Sequence, residues 1–550
     1  MWFGDLVTMK WWNGLWLNEA FATFMEVAAV DAFRPEWRRW DSFATERAAA
    51  FAVDSLASTR PVEYPVRSPE EAEGMFDVLT YQKGASVLRM LEQYLGTEGF
   101  RDGIRRYLDA HAYANAETTD LWDAIEEATG EPVRRIMDAW IFQGGYPLVG
   151  VEATEAGVRL DQRRFVFAGG GATEAATWPV PALVATGSDE PRRVLLDGAA
   201  VDVDIAVSDV ARTGGPASPV VVNAGGHGFY RVRYAPELLA SLRASLDGLA
   251  PVERALLVDD TWAAVLAADT PAPAFLDLAG GFASESDHTV WSTLATALSA
   301  LDHLLEGEAR DDFGHWVADV SRPALDRLSW QPSPGDDERS RQTRGLLITL
   351  AGAVGHDAEV VARAREIHST YLDEPATVDP DVAAAALAVV ASSGTAGDYD
   401  VVLERSRTSP SPQEAMRYLY ALARFPSADL AQRTLAMTLT DAIRTQNAPF
   451  LVGRLLANRE AGATAWAFVE ANWEAIGQRF PDNAIPNMLG GITALSTPAL
   501  AERVDAFLTE HPVPQGARTI EQHRERLRIN VALREREADP VAGWLATWSA

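Results

Sequence analysis

Acids, tyrosines and histidines carry the chemistry open to this sequence of 550 residues, because it contains no cysteine. That excludes a thiolate nucleophile, a thiolate zinc site and disulfides, and it fits a reducing compartment. Nine histidines are spread between His111 and His523, and no two are four apart. No helix therefore presents a pair of imidazoles at that spacing, and none of the nine sits in a His-Glu-x-x-His pattern. Isolated histidines in helical sequence read as surface or satisfied core residues. Two carboxylates share a face in "WLNEAFATFMEV", Glu19 and Glu26, two helical turns apart. In "LTYQKGASVLRML", Tyr81 offers a phenol that stays protonated at neutral pH. Such a group can donate to negative charge growing on a carbonyl oxygen, or it can simply pack. Lys10 and Lys83 are the two lysines among 48 basic residues.

The elements that must position these groups fall into three textures. Residues 1–147 read as mostly helical. Phe21, Phe24, Met25 and Ala28 form a stripe at helical spacing that Pro35 ends. Ala85, Leu88, Leu91 and Leu95 repeat it, with Gly96 placed just past the helix end. "TTDLWDAIEEATG" opens on capping residues and stops at Gly130. Trp2, Trp11, Trp12 and Trp16 crowd the opening residues and read as core packing. From 148 to 235 the period becomes two. "GVRLDQRRFVF", "RRVLLDGAAVDVDIAV" and "GFYRVRYAP" predict strands of a small antiparallel β-sandwich. From 236 to 550 the pattern is helical again, which predicts paired helices stacked into a long HEAT-like solenoid. Segments around 331–345 and 407–413 read as flexible insertions. The fold class is multidomain and mainly α.

The net charge of −30 argues against nucleic acid and against an anionic membrane surface as partners. The longest apolar run, Val382 to Ala391, is about half of what a bilayer span needs, so no membrane segment is expected.

"GDLVTMKWWNGLWLNEAFATFMEV" resembles the zinc aminopeptidases of the aminopeptidase N family. In that family a His-Glu-x-x-His helix supplies two zinc ligands and the general base. A glutamate in a "WLNE" segment, nineteen positions after the second histidine, is the third ligand. The matching residue is Glu19, and counting back nineteen positions lands just before Met1. A zinc site of this kind takes three protein ligands and leaves a fourth position open. The resemblance thus implies a Zn2+ cofactor of which this chain supplies one ligand. The family's catalytic tyrosine maps onto Tyr81. Glu26 reads either as a support for the metal site or as a solvated acid, and Asp5 and Asn18 as flanking groups that orient backbone or ligand.

The resemblance implies that residues 1–147 are the C-terminal part of a thermolysin-like zinc peptidase domain. Residues 148–235 become the sandwich and 236–550 the helical C-terminal domain. It is specific to about residue 150 and architectural after 236. The expected function is release of N-terminal amino acids from peptide substrates, with cytoplasmic peptide turnover as the setting. The expected chain is a fragment, inactive alone, lacking His-Glu-x-x-His and the loop that binds the substrate's amino terminus. The alternative is a non-catalytic protein that binds a peptide or protein on the helical solenoid. Oligomeric state has no signature in the sequence.

Overall fold

The computed structural model describes residues 2–68, 71–72, 74–169, 175–187, 190–207 and 219–548. The chain divides into two compact units, residues 1–167 with 171–267 and residues 168–170 with 268–550.

In the first unit, α1 (Trp16–Phe33) buries Trp16, Leu17, Ala20, Phe21, Phe24 and Val27, the stripe expected from the sequence. α2 (Arg39–Asp54) follows. A π-helical turn (Leu79–Lys83) runs straight into α3 (Gly84–Leu95), which ends at Gly96 with φ +86°. α4 (Thr97–Ala110), α5 (Thr118–Thr129) and α6 (Val133–Ile141) complete the helices before the sheets. Gly130 closes α5 at φ +72°, a left-handed position that suits glycine. The first sixteen residues are less uniformly core than their tryptophans suggested. Trp16 has no exposed surface, whereas Trp2 is 55% and Trp11 50% exposed. A short parallel pair also lies here, β1 (Val7–Met9) against β2 (Ala114–Ala116), with Val7 opposite Ala114. Three-residue strands carry too little alternation to be read from sequence.

Seven further strands follow: β3 (Pro147–Ala153), β4 (Gly157–Arg164), β5 (Val180–Thr186), β6 (Arg192–Leu196), β7 (Ala200–Asp204), β8 (Val220–Val222) and β9 (Arg231–Tyr234). They form one sheet of order β7-β4-β3-β9 and a second of order β6-β5-β8. Within these two sheets every pairing is antiparallel except one. β3 and β9 run parallel, with Leu148 opposite Arg231, which corrects the expectation of a wholly antiparallel sandwich. β9 returns to the first sheet only after the chain has passed through the second, so it reaches β3 by a crossover and not by a hairpin.

The change of texture at 235 falls inside the first unit, since α7 (Pro236–Arg243) and α8 (Pro251–Leu266) belong to it. Charge explains the attachment of α8. Arg231 on β9 pairs with Asp259 at 2.8 Å and Asp260 at 3.0 Å, and Val232 N–H donates to Asp260 at 3.0 Å.

The second unit is helical from Ala272–Gly280 to the long terminal helix Ala517–Trp548, with no strand among its described residues. The apolar run at 382–391 forms the buried interior of the helix Pro380–Ser392. Among the described residues, no single helix is long and apolar enough to cross a membrane. The two segments read as flexible insertions are largely helix ends. Asp337 caps the helix Glu338–Thr349 by accepting from Ser340 N–H at 2.8 Å, and buried Arg344 ties it back to Ser329 O at 2.8 Å. Ser411 caps Pro412–Ala421 three residues after the preceding helix ends at Thr408. The Ser, Pro and Asp residues that read as loop are helix-start residues here.

Candidate active site

Tyr81 sits in the middle of the π turn, where Lys83 N–H reaches back five residues to Val78 O at 3.0 Å. Single π turns of this kind recur at functional sites. Two buried cations hold it. Arg60, 2% exposed, donates through Nε to Asp77 at 3.2 Å and through Nη2 to Thr80 Oγ1 at 2.9 Å. Asp77 then accepts from Leu79 N–H at 2.9 Å and Thr80 N–H at 3.2 Å, which caps the turn just before Tyr81. On the other side, Lys83 Nζ donates to Asp54 at 2.8 Å and to Gly145 O at 3.1 Å. Asp54 also accepts from Gly145 N–H at 2.8 Å, so one carboxylate joins α2, the π turn and the loop after α6. Burial pushes the Lys83 ammonium down from its ordinary value, and Asp54 opposes that shift.

Glu19 lies in the first turn of α1, half-buried. α1 reaches the π turn because a glycine permits it. A Cβ built on Gly84 would meet Ala20 Cβ at 2.6 Å, closer than two carbons can approach. Ala20 and Gly84 therefore mark where the helices touch, with Glu19 beside the first and Tyr81 one turn before the second. The two side chains meet. Burial, then the hydrogen bond to Glu19 and its charge, push the Tyr81 phenol up to about 12. The phenol is neutral across the physiological range, and Glu19 is the carboxylate that acts on it.

The other sequence candidates have surroundings of their own. Asn18 Nδ2 lies 2.8 Å from Met9 Sδ and next to Gly4, holding β1 and the turn before it to the start of α1. Asp5 is exposed in that turn, and Glu26 is exposed on α1. Arg60, Asp77 and Asp54 were not found from sequence. A third carboxylate not found from sequence is Glu63. It accepts from Trp16 Nε1 at 3.1 Å, Asn13 Nδ2 at 2.5 Å and Thr118 Oγ1, and burial raises its pKa.

No three His, Asp or Glu side chains among the described residues converge to hold a metal ion. One carboxylate beside a phenol does not fit zinc, which takes three protein donors in such sites. The described residues alone do not make a zinc centre.

Residues 1–140 match the Peptidase family M1 domain, and residues 219–529 match the ERAP1-like C-terminal domain. The chain is 32% identical to Aminopeptidase M1 of Arabidopsis thaliana over 551 residues, covering 96% of this chain and 62% of that protein. The chain belongs to the aminopeptidase N family. Other members include Aminopeptidase 2, mitochondrial, of Saccharomyces cerevisiae, 30% identical over 90% of this chain and 52% of its own length. Tricorn protease-interacting factor F2 of Thermoplasma acidophilum is 36% identical over 68% of this chain and 45% of its own length. The chain spans less than two thirds of the length of these aminopeptidase N relatives. The mainly helical fold with small sheets agrees with membership.

Proposed function

We propose that this chain is part of a zinc aminopeptidase that releases N-terminal residues from peptides, with Glu19 as a metal ligand and Tyr81 as a catalytic residue. The observation that carries the reading is the contact between Glu19 and Tyr81. Two residues 62 positions apart, each selected on its own motif, meet at one point. On this reading Glu19 would be one of three zinc ligands, with two imidazoles from outside the described residues as the others, and zinc held there would supply Lewis-acid chemistry toward a peptide carbonyl.

The part assigned to this chain's own residues is narrower. Tyr81, kept protonated, donates to the carbonyl oxygen as negative charge develops on it. Arg60, Asp77, Lys83 and Asp54 fix the π turn so that the phenol need not reorganise when the substrate arrives. Glu19 is the residue of this chain that would hold the metal, and its carboxylate acts on the Tyr81 phenol in this structure. The helices of the second unit are proposed to form a HEAT-like solenoid. In support, the helix Pro380–Ser392 packs on both Glu338–Thr349 and Ala358–Asp373, as repeated helix pairs do. We also place the protein's peptide turnover in the cytoplasm, a setting that a cysteine-free sequence suits.

Zinc content and hydrolysis of an aminoacyl chromogenic amide test the reading. Neither is expected for residues 1–550 alone. Both are expected once a segment carrying His-Glu-x-x-His is joined ahead of residue 1. In that longer protein Tyr81→Phe should lower turnover by about 10²–10³ while zinc content holds, the scale seen on removing an oxyanion donor. Near-normal turnover in Tyr81→Phe overturns the role given to the phenol, and full zinc binding by Glu19→Ala overturns the ligand.

A further inference from the structure

A cleft of about 370 Å³ opens in the first unit beside the start of α5, and its lining includes neither Glu19 nor Tyr81. Volumes of this size are those of small-ligand sites. Trp11 and Phe142 line it, and both leave close to half of their surface open to solvent. Its charged lining residues are Lys10, Glu63 and Glu117.

Glu63 is the one of these charges without a counterion. Its Oε2 accepts from Trp16 Nε1 at 3.1 Å and from Thr118 Oγ1, and Trp16 has no exposed surface, so this oxygen is turned to the core. Its Oε1 accepts one bond, from Asn13 Nδ2 at 2.5 Å, and Asn13 lines the cleft. A carboxylate oxygen has two acceptor sites, so Oε1 keeps one. All three donors are neutral, and no ion pair reaches Glu63 among the described residues. Burial raises its pKa, the hydrogen bonds oppose that rise, and the Glu117 charge adds to it. The other two charges cancel at the exposed edge. Lys10 Nζ lies 3.0 Å from Glu117, with side chains 66% and 58% exposed. The start of α5 is itself closed by a capping box of Glu117 and Asp120. The lining therefore carries one net negative charge, and it sits at Glu63.

We propose that this cleft binds a guanidinium group on a short alkyl chain, which donates an N–H to Glu63 Oε1 and sets its flat face and stem against Trp11 and Phe142. A cation supplies the charge that Glu63 lacks, and a charge-assisted hydrogen bond is stronger than the neutral ones already there. Guanidinium suits this lining better than ammonium, because it is more weakly hydrated and stacks on aromatic rings. An anion meets two carboxylates here, and the one cation, Lys10, is already paired. Glu63 N–H donates to Ile141 O at 3.0 Å, which ties the segment of the carboxylate to that of Phe142. The inference stands independently of the peptidase reading.

The test is saturation-transfer NMR of the full chain with butylguanidinium chloride, against butylurea as the neutral molecule of the same shape. Butylguanidinium should bind, and butylurea should give no signal at the same concentrations. Glu63→Gln removes the charge and should weaken butylguanidinium binding by about tenfold to a hundredfold, the scale of one hydrogen bond to a charged group. Phe142→Ala, at a position 43% exposed, should weaken it too and serves if Glu63→Gln fails to fold. Acetyl-Gly-Arg-Gly-amide is titrated alongside. Tighter binding than butylguanidinium places the group on a peptide, weaker binding places it on a free small molecule, and both uphold the site. Equal signals from butylguanidinium and butylurea overturn the proposal, because an apolar cleft alone explains them. No butylguanidinium signal, or binding undiminished in a folded variant, overturns it equally.

Discussion

Lys83 and Asp54 form an ion pair in which neither side chain has any exposed surface, Nζ to Oδ2 2.8 Å. Removing one partner strands the other charge in the core. Lys83→Met should therefore destabilise the first unit by about 3–5 kcal/mol. Adding Asp54→Asn should restore part of that, because the amide oxygen still accepts from Gly145 N–H without carrying charge. Amide hydrogen exchange along α3 reads the change locally. If Lys83→Met leaves protection there intact, the pair does not anchor the π turn.

The contact between Ala20 and Gly84 gives a paired prediction. Gly84→Ala puts a methyl 2.6 Å from Ala20 Cβ, so α1 and α3 must separate. Overpacking of this kind costs about 1–3 kcal/mol. Ala20→Gly alone should cost about 1 kcal/mol from helix propensity. Placed in the Gly84→Ala background, the same change should stabilise, since it removes the clashing methyl. A double-mutant cycle measures the sign of the coupling. Simple additivity would mean that the two helices do not set each other's distance.

These two sites show what the sequence made legible. α1, α3 and α5 were readable because apolar spacing, Gly96 and Gly130 act within a few residues of one another. Glu19 and Tyr81 were readable because each lies in a short distinctive segment, and Lys83 because lysine is so scarce in this chain. Arg60 and Asp77 were not. Each is one of many arginines and aspartates, and only the tertiary fold buries Arg60 against the turn. β1, β2 and the parallel partnership of β3 with β9 were missed for a related reason. Strand pairing is decided by distant partners, and the local alternation in β9 says nothing of direction. The helix starts at Glu338 and Pro412 were obscured by their own capping residues, which in isolation look like loop.

Tyr81 offers a titration test of its bond to Glu19. Its pKa rises from 10.0 in the unperturbed group to about 12. A raised value means that the folded chain holds the proton more tightly. The stability this gives is present below pH 10 and is lost as pH climbs through 12. The difference between the ultraviolet titrations of the native chain and Tyr81→Phe isolates one phenol, with an expected midpoint near 12. In a Glu19→Gln background the midpoint should fall, because the charge that opposes phenolate is gone. An unchanged midpoint would show that burial alone sets the value.

His227 predicts a loss of stability on the acid side. Its imidazole is pushed from 6.5 to about 3 by burial and by the Arg89 and Arg47 charges. The folded chain therefore refuses a proton that the unfolded chain accepts. This contribution is at its full value above about pH 6.5 and falls away as pH drops toward 3, with a slope of up to about 1.4 kcal/mol per pH unit. Asp259 and Asp260, engaged by Arg231, offset part of the Arg47 charge but are not among the groups acting on the ring. Unfolding free energies of the native chain and of His227→Gln, measured between pH 7 and 4, should converge as the solution is acidified. Other titrating groups contribute equally to both proteins and cancel in the difference. Two parallel curves over that range would mean that the ring is protonated in the fold and that the charge around Arg47 and Arg89 is already neutralised.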